Sequence, residues 1–124
     1  MWKEILYVGL GGGIGSIVRY LTSRLSSHFF KSEWFFMGTF TVNILGCFLI
    51  GLLSGWLLEK SGDTNAYRLL FIFGFCGGFT TFSTFANENL KLLQSGNYFL
   101  LSLYVIGSIV LGIAAVWLGM RLVK

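Results

Sequence analysis

The sequence predicts an all-α membrane protein with four transmembrane helices. Two observations lead there. The chain of 124 residues is 55% hydrophobic and 18% aromatic but only 11% charged, with a mean hydropathy of +0.76. Soluble domains are about one-quarter charged, and so short a chain cannot hide this much apolar surface in a core of its own, so its solvent is the lipid bilayer. The apolar residues also fall into four stretches, each matching the roughly 20 residues that cross about 30 Å of hydrocarbon. Together these exclude a secreted disulfide module, a nucleic-acid-binding domain and an ordinary cytosolic enzyme. The expected organisation is a single integral membrane domain over residues 1–124.

The first span is expected over about residues 5–25 and the second over about 34–58. The third covers about 67–93 and the fourth about 98–120. The connecting loops are short. Trp2, Trp34, Trp56, Tyr67, Tyr98 and Trp117 stand near the span ends, where amphipathic rings settle at the headgroups. Small residues recur at helical spacing as Gly11 and Gly15, Gly51 and Gly55, and Ala115 and Gly119. Such pairs let helix backbones approach closely in lipid, either within one subunit or between two. A four-helix bundle fills its own centre with side chains, so a transport role implies an oligomer.

Basic residues set orientation only weakly. Lys3, Lys60, Arg68, Arg121 and Lys124 share one side; Arg24, Lys31 and Lys91, with Arg19 if it reaches the interface, share the other. Two readings stay open: a fixed orientation with a small positive-inside bias, or insertion in both directions as an antiparallel homodimer.

The third span contains Gly74-Phe75-Cys76-Gly77-Gly78-Phe79-Thr80-Thr81. Glycine costs up to about 1 kcal/mol per residue against alanine in a helix, so three glycines ahead of two β-branched threonines make a local weak point. Backbone freed there must be satisfied by protein, water or an ion; the alternative is close helix packing on glycine. Asn43, with Thr39 one turn earlier, brings an amide into the second span. Ser83, Thr84 and neighbouring polar residues follow the glycines, and Tyr104 and Ser108 share a face of the fourth span. Glu4, Glu33, Glu59, Asp63 and Glu88 all fall near span ends or in loops, so the donor inventory favours an anion over a cation or proton. Phe82 and Phe85 share a face, with positive ring edges available to an anion, although ordinary packing also explains such a pair. Cys47 and Cys76 read as buried small hydrophobes. No histidine–carboxylate pair or nucleotide-binding motif is present, and His28 stands alone in a loop.

Three segments are similar to the bacterial fluoride channel (CrcB/Fluc) family: Gly11-Gly12-Gly13-Ile14-Gly15-Ser16-Ile17-Val18-Arg19-Tyr20, Gly38-Thr39-Phe40-Thr41-Val42-Asn43-Ile44-Leu45-Gly46, and Gly74 through Phe85. Their order and spacing match over nearly the whole chain. The resemblance implies an antiparallel, dual-topology homodimer in the bacterial inner membrane, with the third helix broken mid-membrane. It also implies two passive fluoride pores that relieve fluoride toxicity, and a structural sodium ion held at the dimer centre by the backbone carbonyls of Gly77 and Thr80. Asn43, Phe82, Ser83, Thr84, Phe85, Tyr104 and Ser108 would line the pore, with Glu88 and Arg19 near its mouth. The implied partners are fluoride, the lipid bilayer and a second copy of the chain, with no nucleic acid or nucleotide. Where the family often carries a further hydroxyl on the fourth helix, this chain has Gly112.

Two other readings compete. A proton-coupled multidrug exporter of four short helices calls for a membrane-embedded glutamate in the first helix, where only Glu4 stands, at the edge. A non-transporting structural subunit explains the glycine faces but not the polar residues clustered after Gly78.

Overall fold

A computed structural model describes residues 1–123; Lys124, counted in the charge comparison above, lies outside them. Among the described residues, four helices are long and apolar enough to cross a membrane: Trp2–Ser27, Met37–Leu58, Asn65–Gln94 and Tyr98–Val123. The protein is all-helical and, by these spans, a multi-pass membrane protein. Large apolar side chains such as Ile17, Leu21, Ile106, Val110 and Ile113 are exposed. In water such a surface would drive aggregation, whereas in lipid it is the ordinary outer face.

The helices run slightly past the expected limits, except at the start of the second. Ser32–Trp34 forms a 3-10 turn, and the second helix opens only at Met37. An aromatic cluster packs at this junction. Phe36 is buried with its ring 4.6 Å from Tyr104, and Trp34 packs on Phe36 at 5.7 Å. Gly96 closes the third helix at φ 74°, where its N–H donates to the Leu93 carbonyl at 3.1 Å and that of Asn97 to the Leu92 carbonyl at 2.9 Å. Glycine suits this left-handed position because it has no Cβ.

The glycine faces act within one subunit. A methyl group at Gly11 would strike the backbone of Leu70 and Phe75, and one at Gly15 the backbone of Phe75 and Phe79. The first and third helices therefore meet backbone to backbone. The second and fourth meet in the same way, with Gly51 against Val116 and Gly119 against Phe48 and Leu52. Gly55 lies against Met120 and Val123.

The Asn65–Gln94 helix is not uniform. Arg68–Cys76 is π-helical and Gly77–Phe79 returns to α geometry. Thr80 (φ −93°, ψ 159°) and Thr81 (φ −150°, ψ 123°) are extended, and α geometry resumes over Phe82–Gln94. Thr81 caps that last segment, its Oγ1 accepting from the Thr84 N–H at 3.3 Å; a hydroxyl is well suited to that position.

Candidate functional site: a clamped threonine pair and an uncharged cavity

Two extended residues between helical segments leave backbone groups that must find partners. Asn43 supplies them for Thr81. The Thr81 N–H donates to Asn43 Oδ1 at 2.8 Å, and Asn43 Nδ2 donates back to the Thr81 carbonyl at 3.1 Å. The side-chain amide thus pairs with the backbone as a neighbouring strand would. Among the described residues the second N–H of the Asn43 amide has no acceptor.

This clamp has a consequence for the preceding turn. In a continuous helix the Thr81 N–H would donate to the Gly77 carbonyl and the Thr84 N–H to the Thr80 carbonyl. Both donors are turned elsewhere, to Asn43 and to Thr81 Oγ1. The carbonyls of Gly77 and Thr80 are thereby released from their helical partners. Thr80 is itself held, its N–H donating to the Cys76 carbonyl at 3.0 Å and its Oγ1 to the same oxygen at 2.8 Å. Gly46 makes room for it, since a Cβ there would collide with the Thr80 methyl.

A cavity of about 580 Å³ opens over this region. It gathers Asn43, Gly77, Thr80, Phe82, Phe85 and Ser108 from three helices. No side chain lining it is ionisable apart from the thiols Cys47 and Cys76. The Ser108 hydroxyl is buried and has no hydrogen-bond partner among the described residues. Phe82 and Phe85 stand 5.8 Å apart between ring centroids; Phe82 is 78% exposed and Phe85 half-buried.

Beside the cavity lies a second polar group. Glu88 is only 9% exposed, and both its oxygens are engaged: Thr39 Oγ1 donates to Oε2 at 2.9 Å and Tyr104 OH to Oε1 at 2.8 Å. The Phe85 ring meets Tyr104 edge-on at 4.8 Å and joins the two groups. Glu88 stands near a span end, and the structure buries it between three elements. Its linear position gives no hint of Tyr104, although Thr39 and Asn43, one turn apart, both proved to reach across to the third span.

The remaining candidates lie apart. Ser83 is exposed, 3.5 Å from Thr81 Oγ1, and Thr84 Oγ1 accepts from Thr81 Oγ1 at 3.1 Å, so both belong to the cap rather than to the cavity wall. Arg19, on the first helix, is half-buried with its Nε unpartnered among the described residues, and it does not line the cavity.

Known proteins bear on this arrangement. Residues 6–120 match the family model described as CrcB-like protein, Camphor Resistance (CrcB). The fluoride-specific ion channel FluC of Phocaeicola vulgatus is 50% identical over 117 residues, which cover 94% of this chain and 95% of that protein. FluC of Azobacteroides pseudotrichonymphae is 48% identical over 119 residues, covering 96% and 94%. FluC of Flavobacterium psychrophilum is 43% identical over 122 residues and covers 98% of each.

Proposed function

This chain belongs to the CrcB family, and we propose that it is itself a passive, fluoride-selective channel of the bacterial inner membrane. In this reading hydrogen fluoride enters from acidic surroundings and dissociates inside. The trapped anion then leaves down its electrochemical gradient, helped by an inside-negative potential. The observation that carries the reading is a largely apolar cavity that gathers the Asn43 amide, the threonine pair and the Phe82 and Phe85 rings without a carboxylate, next to a backbone pair clamped open by Asn43. Neutral donors replace part of an anion's hydration shell without trapping it, and a narrow set of them selects by size and field strength. The side chains of Asn43, Ser108, Phe82 and Phe85 are the ones this reading places along the ion's path.

The channel works as an antiparallel, dual-topology homodimer with two pores. The cavity of one copy is open on one flank, and in this reading a second copy completes its wall. The third helix is broken at Thr80 and Thr81 within the membrane. The carbonyls of Gly77 and Thr80 fit a structural sodium ion, because carbonyl oxygens suit a hard cation and these two are released from helical bonding by the Asn43 clamp and the Thr81 cap. When bound, the ion would supply a fixed positive charge at the dimer centre. Both Glu88 oxygens are held by hydroxyls in a buried setting, and the exporter reading lacks a membrane-embedded glutamate in the first helix, where only Glu4 stands, at the edge.

The test is efflux from liposomes loaded with equal fluoride and chloride and read with ion-selective electrodes. Rapid release of fluoride with chloride retained is expected, slowed when sodium is replaced by a large organic cation. Equal release of both anions, or no release, would contradict the reading.

A further inference from the structure

The third helix departs from α geometry twice. Asn43 accounts for the break at Thr80 and Thr81, but not for the nine π-helical residues before it, Arg68–Cys76. That geometry occurs mostly as a single turn and frequently at functional sites. Its hydrogen bonds run five residues back instead of four, so the same residues make a wider and shorter helix. The Gly77 N–H that closes the run donates to the Gly74 carbonyl and to that of Ile72, five residues back. The run contains no proline, and its Leu, Ile and Phe side chains all fit an α-helix, so the geometry answers to packing rather than to propensity.

The first helix grips the run and the turn after it. A Cβ at Gly11 would strike the Leu70 carbonyl, and one at Gly15 would strike the Phe75 carbonyl and lie 3.0 Å from the Phe79 nitrogen. From the other side, a Cβ at Gly74 would lie 2.9 Å from the Gly11 Cα, and one at Gly78 would strike the Gly12 carbonyl. The contact ends at Phe79, which is buried and directly precedes Thr80. The start of the run is held as well. Tyr67 stacks on Phe71 at 6.4 Å and meets Trp56 edge-on at 5.6 Å, with the Lys60 ammonium 4.4 Å over the Trp56 ring.

We propose that the π run takes in chain length that an α-helix would push forward, and that Gly11 and Gly15, which hold it, are positioning residues for the threonine break. The first helix thereby sets the level at which Thr81 meets Asn43. Relaxed to α geometry between the same held ends, the nine residues would be longer and would carry Thr81 past the Asn43 amide. The Thr81 N–H would then return to the Gly77 carbonyl. The effect on conduction rests on the channel reading above; the effect on the clamp does not.

The experiment is a double-mutant cycle on the purified protein, read by denaturant titration in micelles and by fluoride efflux from liposomes. Gly13→Ala is the control: it adds a methyl to the same glycine run where nothing lies within 4 Å, and both readouts are expected to stay at wild type. Gly15→Ala is expected to slow efflux at least about tenfold. Asn43→Ala lowers the denaturation midpoint of the wild type, but is expected to add nothing in the Gly15→Ala background, where the clamp is already lost. Independent packing sites give additive shifts, so additive midpoints overturn the proposal, as does a Gly15→Ala variant that conducts as fast as wild type. If Gly15→Ala fails to fold, magic-angle-spinning NMR of Asn43→Ala in lipid decides. Hydrogen bonds spaced five residues apart are expected to persist over residues 68–76 without the clamp, because the first helix imposes them; a run that reverts to four-residue spacing overturns the proposal. A wild type that releases no fluoride sinks the channel reading, and the stability cycle still decides this one.

Discussion

Replacing Asn43 with alanine removes both halves of the clamp on Thr81. The backbone N–H and carbonyl, bonded at 2.8 and 3.1 Å, lose their partners together. An unsatisfied buried polar group costs about 1–3 kcal/mol, so two cost about 2–6 kcal/mol at full burial. Thr81 is half-buried beside an open cavity, where water can take up part of the deficit, which places the loss near the lower end, about 2–3 kcal/mol. The Thr81 N–H is then free to return to the Gly77 carbonyl, so the threonine pair is expected to drift toward helix. Asn43→Asp separates stability from conduction. Its carboxylate still accepts from the Thr81 N–H but cannot donate to the carbonyl, so its stability loss is expected to be about half that of alanine. It also places a negative charge on the wall and is expected to abolish fluoride flux as completely as alanine does. The assays are denaturant titration in detergent micelles and electrode-detected efflux from liposomes. An alanine variant as stable as wild type would refute the clamp, and an aspartate variant that conducts normally would refute the placement of Asn43 on the path.

Three further outcomes are expected. Gly46→Ala pushes a methyl into the Thr80 side chain, which is tied to the Cys76 carbonyl at 2.8 Å; fluoride efflux is expected to fall at least about tenfold while the helical circular-dichroism signal is unchanged. Tyr104→Phe leaves Glu88 Oε1 buried without its donor, at a cost of about 1–3 kcal/mol seen as a lower melting temperature, and Glu88→Gln, which retains an acceptor, is expected to lose less. Phe85→Ala removes the ring that joins the cavity to Tyr104 at 4.8 Å and is expected to lower efflux sharply, whereas Phe82→Ala, at the exposed end of the pair, is expected to leave melting unchanged.

What was legible in the sequence followed from period and composition. Lipid as solvent makes each span a long apolar run, so all four helices could be placed to within a few residues. At Phe36 the second helix opens late, where a buried ring packs at a tilt against Tyr104, and that contact joins residues far apart in the chain. The glycine spacing was visible, but which helices it joined was not; the backbone contacts of Gly11 and Gly51 assign it to packing inside one subunit. Asn43 was legible as an isolated amide in an apolar run. Its pairing with Thr81, and with it the release of the Gly77 and Thr80 carbonyls, depends on the second and third helices lying side by side. Glu88 does lie near the end of its span, but that position says how far a residue is from the helix end, not whether Thr39 and Tyr104 close over it.

Current recorded across a planar bilayer holding the purified protein, with a fluoride gradient and symmetrical chloride, addresses the fluoride path itself. The account predicts a current that reverses at the equilibrium potential of fluoride and does not follow chloride when its gradient is changed. A reversal that tracks chloride or protons, or a silent bilayer with protein incorporated, would contradict it.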